Sequence, residues 1–412
     1  MKVLIDARIL SGLSGGVEQA TIGLADSFCF TENLGLDFQW LMYEGQTDWL
    51  ESHLPNNSEI IEIPNLISKF TSKKKIIEVI RRSHAARHPL AYLRAHGPLA
   101  YRLSDEPLVI SKLNPDVIHF PTQFGFNTRR PNVYQPHDLQ HKHFPEFFSR
   151  ENLAIRNIAF SRMLYQASRI VVGNEWTKND FIYHFPEVAS KIENVPVFPQ
   201  IFPLKPKEEH LPFELKHNKY ILYPAAGWPH KNHLRLLEAF AEVLSKGLKI
   251  DLVLTGTLLE ANPLIQNKIE ELNLKPHVYI QGFVSPELLL SLYLGASAVV
   301  VPTLFESASF PVWEAFNLGI PVVAARTTSI PAQVGDAAIL FEPTSVSEMS
   351  AAIIEALNDL GATAIRIKKG ISRVGIFTGS NTALGFRFNY RQAANLPMDS
   401  LDTKWVSEGV RF

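Results

Sequence analysis

The strongest constraint on the fold is an alternation of short apolar runs and helical segments that occurs twice along the 412 residues. Strands that alternate with helices form parallel sheets covered on both faces. The pattern therefore predicts an α/β protein with two Rossmann-like, doubly wound domains. The predicted strands span 3–5, 38–43, 117–120 and 169–173 in the first half and 220–224, 250–255, 278–281, 298–301 and 322–324 in the second. The predicted helices span 18–28, 152–167, 233–245, 263–272, 286–294 and 312–318.

A proline-rich segment separates the two halves. Five prolines and four charged residues lie between 196 and 212, a composition that sustains neither a helix nor a sheet ladder. We therefore predict an N-terminal domain at 1–200, a linker at 201–217 and a C-terminal domain at 218–375. Such sheets bind ligands outside the carboxyl ends of their strands, so a pair of them predicts a central cleft. Helical periodicity weakens near the end, and we expect the tail at 376–412 to fray or to pack loosely back on the N-terminal domain.

Charge and composition exclude several classes of function. The formal net charge is −1, so no overall basic field attracts nucleic acid. The single cysteine, Cys29, rules out an internal disulfide, and its apolar neighbours predict a buried thiol in a reducing compartment. The N-terminus lacks the features of a signal peptide, and the longest apolar run, 288–301, is too short to span a bilayer. We therefore expect a cytoplasmic protein.

The segment 69–102 is locally basic and amphipathic inside this neutral chain. It predicts either a face for anionic phospholipid or a lipid-diphosphate ligand, or solvated helices that flank the cleft. The first interpretation would give the protein a peripheral contact with the inner face of a membrane.

The strongest functional signal is a pair of glutamates, Glu306 and Glu314, separated by seven residues. Glu306 follows the predicted strand at 298–301 in a loop of small residues, and Glu314 lies about one turn inside the next predicted helix. A turn from strand to helix presents backbone amides and a helix N-terminus, which attract phosphate. Pro311 fits the first helical turn, where its missing N–H is harmless. The pattern predicts a phosphate-binding turn with a second carboxylate placed to accept hydrogen bonds from two ribose hydroxyls.

This region resembles glycosyltransferase family 4, a group of retaining enzymes with the GT-B fold that are also called group 1 glycosyltransferases. Glu306 and Glu314 match the E-x7-E motif of that family, and the resemblance is strongest from 220 to 343. It implies that Glu306 contacts the transferred sugar and that Glu314 binds the ribose of the nucleotide. It also implies that backbone amides near Phe310 and Val312 bind the diphosphate. The C-terminal domain would then hold a nucleotide-sugar donor and the N-terminal domain the acceptor.

A lysine stands where the first helix of the second half begins. Lys231 follows the predicted strand at 220–224, and a lysine at this place can reach a diphosphate as a point charge. Its charge would stabilise the negative charge that grows on a leaving diphosphate, so no metal is required. The family usually has an arginine about six residues earlier, where this chain has Ala225. His230 or Asn232 is a candidate to compensate.

Glycines follow the first predicted strand, at Gly12, Gly15 and Gly16. They permit a tight turn and close approach of the backbone to a ligand, although they form no G-x-G-x-x-G fingerprint. The family resemblance implies that the loop at Gly15 and Gly16 faces the diphosphate and the acceptor. The alternative is a plain turn from strand to helix.

Three histidines, His137, His141 and His143, cluster in the first half. Zinc ligation is disfavoured because neither cysteines nor H-E-x-x-H spacing supports it. The resemblance implies that one histidine of this region lies near the transferred sugar, and His137, oriented by Asp138, is our catalytic candidate beside Glu306 and Lys231. His119, at the end of a predicted strand, is a candidate to line the acceptor pocket. The alternative for each histidine is a structural role.

Two missing motifs narrow the reaction class. The chain has no D-x-D pair and no G-x-x-x-x-G-K-[ST] loop, which disfavours metal-dependent single-domain transferases and P-loop phosphotransferases. The resemblance implies a metal-independent, retaining hexosyltransferase that uses a nucleoside-diphosphate sugar, with GDP-mannose favoured. The acceptor would be a glycan or a lipid-linked saccharide in polysaccharide synthesis. Two alternatives stay open: a sugar-nucleotide epimerase of the same fold, and a degraded transferase that only binds a partner.

Overall fold

The computed structural model describes residues 1–10, 16–31, 33–64, 104–197, 215 and 219–411, and the chain divides into two compact units. The first unit joins Met1–Phe198 to Thr378–Arg411, and the second is Pro199–Phe377. The basic segment at 69–102 and, apart from Leu215, the linker at 201–217 lie outside the described residues.

The first unit contains a seven-stranded, wholly parallel sheet in the order β3-β2-β1-β5-β7-β8-β9. Its strands are β1 (Lys2–Asp6), β2 (Asp37–Tyr43), β3 (Ser58–Ile63), β5 (Val117–Phe120), β7 (Asn132–Tyr134), β8 (Arg169–Val172) and β9 (Ile192–Asn194), with a separate pair β4 (Ser104–Asp105) and β6 (Phe126–Asn127). The described helices of this unit that precede the second unit are α1 (Gly16–Cys29), α2 (Asp48–Glu51), α3 (Leu108–Leu113), α4 (Gln140–His143), α5 (Arg150–Gln166) and α6 (Glu175–His184). Short 3-10 turns occur at Pro145–Phe147 and Pro186–Lys191.

The second unit contains a six-stranded, wholly parallel sheet in the order β12-β11-β10-β13-β14-β15. Its strands are β10 (Tyr220–Pro224), β11 (Asp251–Thr255), β12 (Val278–Ile280), β13 (Ala298–Val301), β14 (Val322–Ala325) and β15 (Ile339–Phe341). Its described helices are α7 (His233–Ser245), α8 (Pro263–Glu271), α9 (Pro286–Gly295), α10 (Phe310–Asn317), α11 (Ile330–Val334), α12 (Val346–Asn358) and α13 (Leu360–Val374), with a 3-10 turn at Pro229–Lys231.

The central strands are buried on both faces because helices cover both sides of each sheet. In the second unit β10 and β13 consist almost entirely of buried apolar residues, as the near-continuous runs Tyr-Ile-Leu-Tyr and Ala-Val-Val-Val require. One face of that sheet packs with α7 and α12 through Leu236, Phe240 and Ile353. The α/β fold with two doubly wound sheets is therefore confirmed.

The order of strands places a ligand crevice at one point in each unit. In the second unit β10 lies between β11 and β13, so the chain leaves β10 on one side and returns beyond it on the other. Ligands of open parallel sheets bind at such a switch point, outside the carboxyl ends of the strands. The loops that follow β10 and β13 carry Lys231 and Glu306.

The C-terminal segment is ordered, which corrects the expectation of a frayed tail. It forms α14 (Gly379–Ala393) and α15 (Ser400–Glu408), and α14 packs against α1, β7, β8 and α15. Tyr390 is fully buried and its hydroxyl bonds Nδ1 of His119 at 2.8 Å. A capping box from Asp399 and Asp402 fixes the N-terminus of α15.

Arg387 of α14 holds the two C-terminal helices and the N-terminal part of the first unit together. It is 5% exposed, and its Nε donates to the carbonyl of Leu34 at 2.8 Å. Its Nη1 donates to the carboxylates of Asp399 at 3.0 Å and Asp402 at 2.6 Å. The guanidinium holds the pKa of Asp399 down to about 2. Because Asp402 is also bonded by Arg391, the cluster satisfies its buried charges within the unit.

Two further predictions concern the thiol of Cys29 and the apolar run at 288–301. Cys29 at the end of α1 is exposed, although its thiol donates weakly to the carbonyls of Ala25 and His53, so the prediction of a buried thiol is wrong. The hydrophobic run at 288–301 becomes α9 and β13, and none of the helices described is long and apolar enough to cross a membrane.

We expect Arg387→Met to destabilise the first unit by about 3 kcal/mol, because it leaves buried carboxylates and the Leu34 carbonyl without their donor. Urea unfolding followed by hydrogen exchange of peptides from each unit measures this. Lys369→Met is the control, because it removes an exposed ion pair with Asp336 and should leave the unfolding midpoint close to that of the wild type. Equal unfolding midpoints for Arg387→Met and the wild type would contradict the role given to this cluster.

Candidate active site

An ion pair between Lys231 and Glu306 lies at the switch point of the second sheet. Lys231 ends the 3-10 turn after β10, and Glu306 stands in the loop after β13. The lysine Nζ donates to Oε1 of the glutamate. Both side chains are mostly buried, with exposures of 20% and 13%. The structure therefore brings together a cation and a carboxylate that are 75 residues apart in the sequence.

The loop after β10 fixes one side of the loop after β13. The His230 carbonyl accepts from the backbone N–H of Leu304 at 2.7 Å and from the Thr303 hydroxyl at 3.1 Å. The side chain of Asn232 donates to the carbonyls of Pro302 at 2.8 Å and Pro343 at 2.9 Å. Asn232 has a φ of 62°, a left-handed conformation that asparagine tolerates better than most residues. These bonds place Lys231 beside the β13 loop.

Side chains that follow β14 fix the other side of the same loop. Thr328 exchanges two hydrogen bonds with the backbone of Glu306, at 2.6 and 3.1 Å, and Ser329 donates to the same carbonyl at 3.0 Å. The amide of Gln333 closes a second pair of bonds with the backbone of Ser309, at 2.9 and 2.7 Å. Glu306 therefore sits on a backbone that is held from both neighbouring strands.

The N-terminus of α10 retains the capacity to bind an anion. Ser309 is the N-cap residue, but its hydroxyl makes no capping hydrogen bond and is buried without a partner. The first turn therefore receives no side-chain acceptor from its own cap. The amides of Phe310 and Val312 belong to this turn, and Pro311 between them has no N–H. These two amides lie where the sequence predicted a diphosphate contact.

Glu314 lies one turn further along α10, in a setting that favours its neutral form. Burial raises its pKa to about 7, and the hydroxyl of Tyr293, which donates to Oε2, offsets part of that rise. Tyr293 comes from α9 and is fully buried, so it fixes the orientation of the carboxyl group. A carboxyl with a pKa near neutrality and a fixed orientation is typical of a ligand-binding position.

The histidines next to Lys231 bring no positive charge to the site. Burial, followed by the charge of Lys231, lowers the pKa of His230 to about 3. Burial does the same for His233 at the start of α7, whose ring packs 4.9 Å from that of Tyr223. His230 therefore supplies hydrogen bonds but does not replace the charge of the arginine that is missing at Ala225.

The remaining predicted site residues belong to the first unit. Gly16 begins α1, and Gly15 lies outside the described residues. His137 has a φ of 66°, and its Nε2 bonds the carbonyl of Pro121 at 2.7 Å. Burial lowers the pKa of its imidazole. The carbonyl of Pro121 rather than Asp138 orients the ring, because Asp138 accepts from the Gln140 amide at the start of α4.

The other first-half histidines divide into separate environments. His119 is fully buried and bonded to Tyr390, so the prediction that it lines an acceptor pocket is wrong. His141 is 2% exposed with its ring 4.7 Å from Phe160. His143 pairs with Asp180. The three-histidine cluster of the sequence therefore does not form one site.

Several residues that hold the site carried little signal in the sequence. Tyr293, Thr328 and Gln333 lie on separate elements, and each acts through one or two hydrogen bonds. A hydroxyl or amide at such positions is common on any surface, so only the folded arrangement identifies them. Asn232 was named for its position next to Lys231, but its role in joining two loops was not foreseen.

Relatives of known sequence support a transferase. Residues 207–372 match the family described as glycosyl transferases group 1. O-antigen chain mannosyltransferase B of Escherichia coli is 26% identical over 311 residues, which cover 69% of this chain and 81% of that protein. MMP alpha-(1->4)-mannosyltransferase of Mycolicibacterium hassiacum is 27% identical over 196 residues, which cover 47% of this chain and 46% of that protein.

Solved structures share the fold. Sucrose-phosphate synthase from Thermosynechococcus elongatus superposes with a TM-score of 0.67 at 17% identity, covering 95% of this chain and 98% of its own. HepE of Anabaena, in complex with UDP and glucose, superposes with a TM-score of 0.62 at 19% identity. The match covers 93% of this chain and 97% of that chain. TarM of S. aureus, as a mutant in complex with fondaparinux, alpha-GlcNAc-glycerol and UDP, superposes with a TM-score of 0.65 at 13% identity. The match covers 96% of this chain and 99% of that chain. With the two parallel sheets, these findings support the resemblance: residues 207–372 carry a segment similar to the group 1 glycosyl transferases, and the chain shares the two-sheet fold of these solved structures.

Proposed function

We propose that the protein transfers a hexose, with mannose favoured, from a nucleoside-diphosphate sugar to a glycan or lipid-linked saccharide, with retention of configuration and without a metal ion. The observation that carries the proposal is the contact of Lys231 with Glu306 beside the uncapped first turn of α10. It combines one cation, one carboxylate and a helix N-terminus at the switch point of a parallel sheet, where phosphate-bearing ligands bind.

A bound diphosphate would weaken the ion pair between Lys231 and Glu306. In the structure the two charges neutralise each other, so a bound diphosphate competes with the carboxylate for the ammonium group. The amides of Phe310 and Val312 add the positive end of a helix dipole, equivalent to about half a charge. Lys231 would then stabilise the negative charge that develops on the leaving phosphate. No metal ion is needed for that role.

Glu314 would bind the ribose. Its Oε1, and the second lone pair of the Oε2 that Tyr293 already contacts, are acceptors for two vicinal hydroxyls. Only the ionised form offers both oxygens as acceptors. Because the carboxyl group is fixed by Tyr293, the nucleotide would be positioned without a large loss of side-chain entropy.

Retention would follow from attack on the face that the phosphate leaves. We assign Glu306 to the sugar hydroxyls and propose no covalent sugar intermediate on this residue. The bond from the anomeric carbon to the phosphate oxygen breaks as the acceptor oxygen bonds the same carbon. The acceptor proton passes to the departing phosphate. Glu306 would position the sugar hydroxyls, and His137 remains our candidate for a further sugar contact.

The choice of mannose rests on relatives of modest identity. The two curated proteins that match are named as mannosyltransferases. The segments at 228–232 and 137–149 also resemble mannosyltransferase-like members of the family. The solved HepE and TarM complexes contain UDP, so UDP-sugars are the competing donors. An O-antigen enzyme among the relatives supports an acceptor that belongs to a surface polysaccharide.

We expect one class of donor to bind in the presence of EDTA, with GDP-mannose the first candidate among UDP-, GDP-, ADP- and dTDP-sugars. Calorimetry measures binding, and nucleotide release measures turnover. Lys231→Met should lower kcat/KM by about a hundredfold or more, because it removes the charge on the leaving group. Glu355→Gln, a change at an exposed glutamate in the same unit, is the matched control and should leave both unchanged.

The result that contradicts this proposal is a strict requirement for a divalent ion together with normal turnover of Lys231→Met. Binding of the donor without turnover by the wild type would favour the partner-binding alternative. Release of an isomerised sugar without acceptor would favour the epimerase.

We expect donor affinity to fall as the pH drops below 7. The pKa of Glu314 is about 7, so the ionised fraction of this carboxyl group falls about tenfold for each pH unit below 7. His230, with a pKa of about 3, does not titrate in this range. Calorimetry from pH 6 to pH 8.5 measures the slope, and Glu314→Gln should bind weakly with no slope. An equal slope in that variant would show that another group is responsible.

We also expect Glu314→Gln to melt above the wild type at pH 8 but not at pH 5. The folded-state pKa of Glu314 lies above its unfolded value, so its contribution to stability is present at low pH and is lost as the pH rises through 7. Glutamine can still accept the hydrogen bond of Tyr293. Scanning calorimetry at the two pH values tests this, and a variant that is less stable at both would refute the burial argument.

A further inference from the structure

A group of three side chains in the first unit has the composition of a metal site and no part in the proposed transfer reaction. It consists of His143 from α4 and of Asp180 and His184 from α6. One ligand atom from each lies within 4.8 Å of the other two. The residues come from two helices that are separated by α5 and β8, so the fold and not the local sequence brings them together.

Both imidazoles approach the carboxylate of Asp180 through their Nε2 atoms. Nε2 of His143 is 2.8 Å from Oδ1 of Asp180, and Nε2 of His184 is 3.6 Å from the same oxygen. Ligands about 2.1 Å from a tetrahedral Zn²⁺ lie roughly 3.4 Å from one another. The observed distances bracket that value. Asp180 and His184 are four residues apart, which places them on one face of α6.

The hydrogen bonds within this group of three side chains leave one carboxylate oxygen of Asp180 without a partner. Its side chain is only 7% exposed, and its Oδ2 is buried without a hydrogen-bond partner. A buried carboxylate oxygen that lacks a partner costs free energy, and buried charges are usually paired or coordinate a metal. The histidines are more accessible, at 31% and 25%, so an ion can enter from solvent.

The surroundings restrict what can bind. Trp176 packs 5.7 Å from the ring of His143, and the ring of Tyr183 lies 5.0 Å from that of His184. Lys142, next to His143, places its ammonium group 5.7 Å from the ring centre of Phe185. That positive charge weakens the attraction of a cation but leaves the three ligand atoms in place. Two imidazoles and one carboxylate suit a divalent transition metal better than calcium or magnesium.

We propose that His143, Asp180 and His184 bind one divalent transition-metal ion, with zinc as the reference ion, and that this ion ties α4 to α6. Three protein ligands would leave a fourth position for water. His137 lies shortly before α4 in the sequence. An ion that ties α4 to α6 would therefore also order the segment at His137. The site serves structure and is separate from the residues proposed to bind the donor.

Zinc binding to untagged protein tests the proposal. The protein is stripped with EDTA and freed of chelator, and Zn²⁺ is then titrated by calorimetry while Co²⁺ is followed by its visible absorption. We expect one Zn²⁺ per chain and a rise in melting temperature of about 5–10 °C at a hundredfold excess over Kd. His143→Asn and His184→Asn should each weaken zinc binding about tenfold or more.

Two further variants make the test specific. His277 pairs with Asp251 at 3.1 Å in the second unit, and His277→Asn should leave zinc affinity unchanged. Lys142→Met should tighten binding, because it removes a nearby positive charge. His143 is accessible, so His143→Asn is expected to fold, and its melting temperature without metal checks this. Zinc that binds to His143→Asn as it binds to the wild type, or no stoichiometric binding at all, would overturn the proposal.

Discussion

The arrangement of the second unit depends on how one loop is held, the loop that follows β13. Its backbone lies outside the sheet ladder, and groups from the neighbouring loops bond several of its carbonyls and amides. Asn232 donates one hydrogen bond to this backbone, at Pro302, and Gln333 makes two, at Ser309. Buried backbone groups must be paired, so a residue in this loop cannot move unless these contacts break. The rigidity of Glu306 is therefore a property of three loops together.

This dependence explains which parts of the site could be predicted from the sequence. The strands β10 and β13 were predicted with their observed bounds, because apolar runs bounded by turn residues carry the signal locally. The family motif placed Glu306 and Glu314 on the loop and helix where they are found. Their roles toward a ligand stay predictions. The direct contact of Lys231 with Glu306 could not be predicted, because it depends on the pairing of β10 with β13.

The failures have a common physical cause. His119 and Cys29 were judged by their neighbours in the sequence, but the packing of distant elements decides their exposure. α14 buries His119 from a position 271 residues away, whereas Cys29 at the end of α1 stays exposed despite its contact with the His53 carbonyl. The three-residue strands β7, β9 and β15 were missed, whereas β12, of the same length, was predicted at 278–281, because so short a run carries little periodicity. The C-terminal helices were missed because polar residues such as Arg387 form part of their buried face.

The return of Thr378–Arg411 to the first unit constrains how the protein can be made. The first unit lacks one covering layer until α14 reaches it, so α1, β7 and β8 expose apolar surface on a nascent chain. The ribosome must first add all of Pro199–Phe377, which takes roughly 10–40 s at about 5–20 residues per second. The first residues to leave the ribosome are thus among the last to complete their native contacts. During that interval the open face is a target for chaperones and a starting point for aggregation.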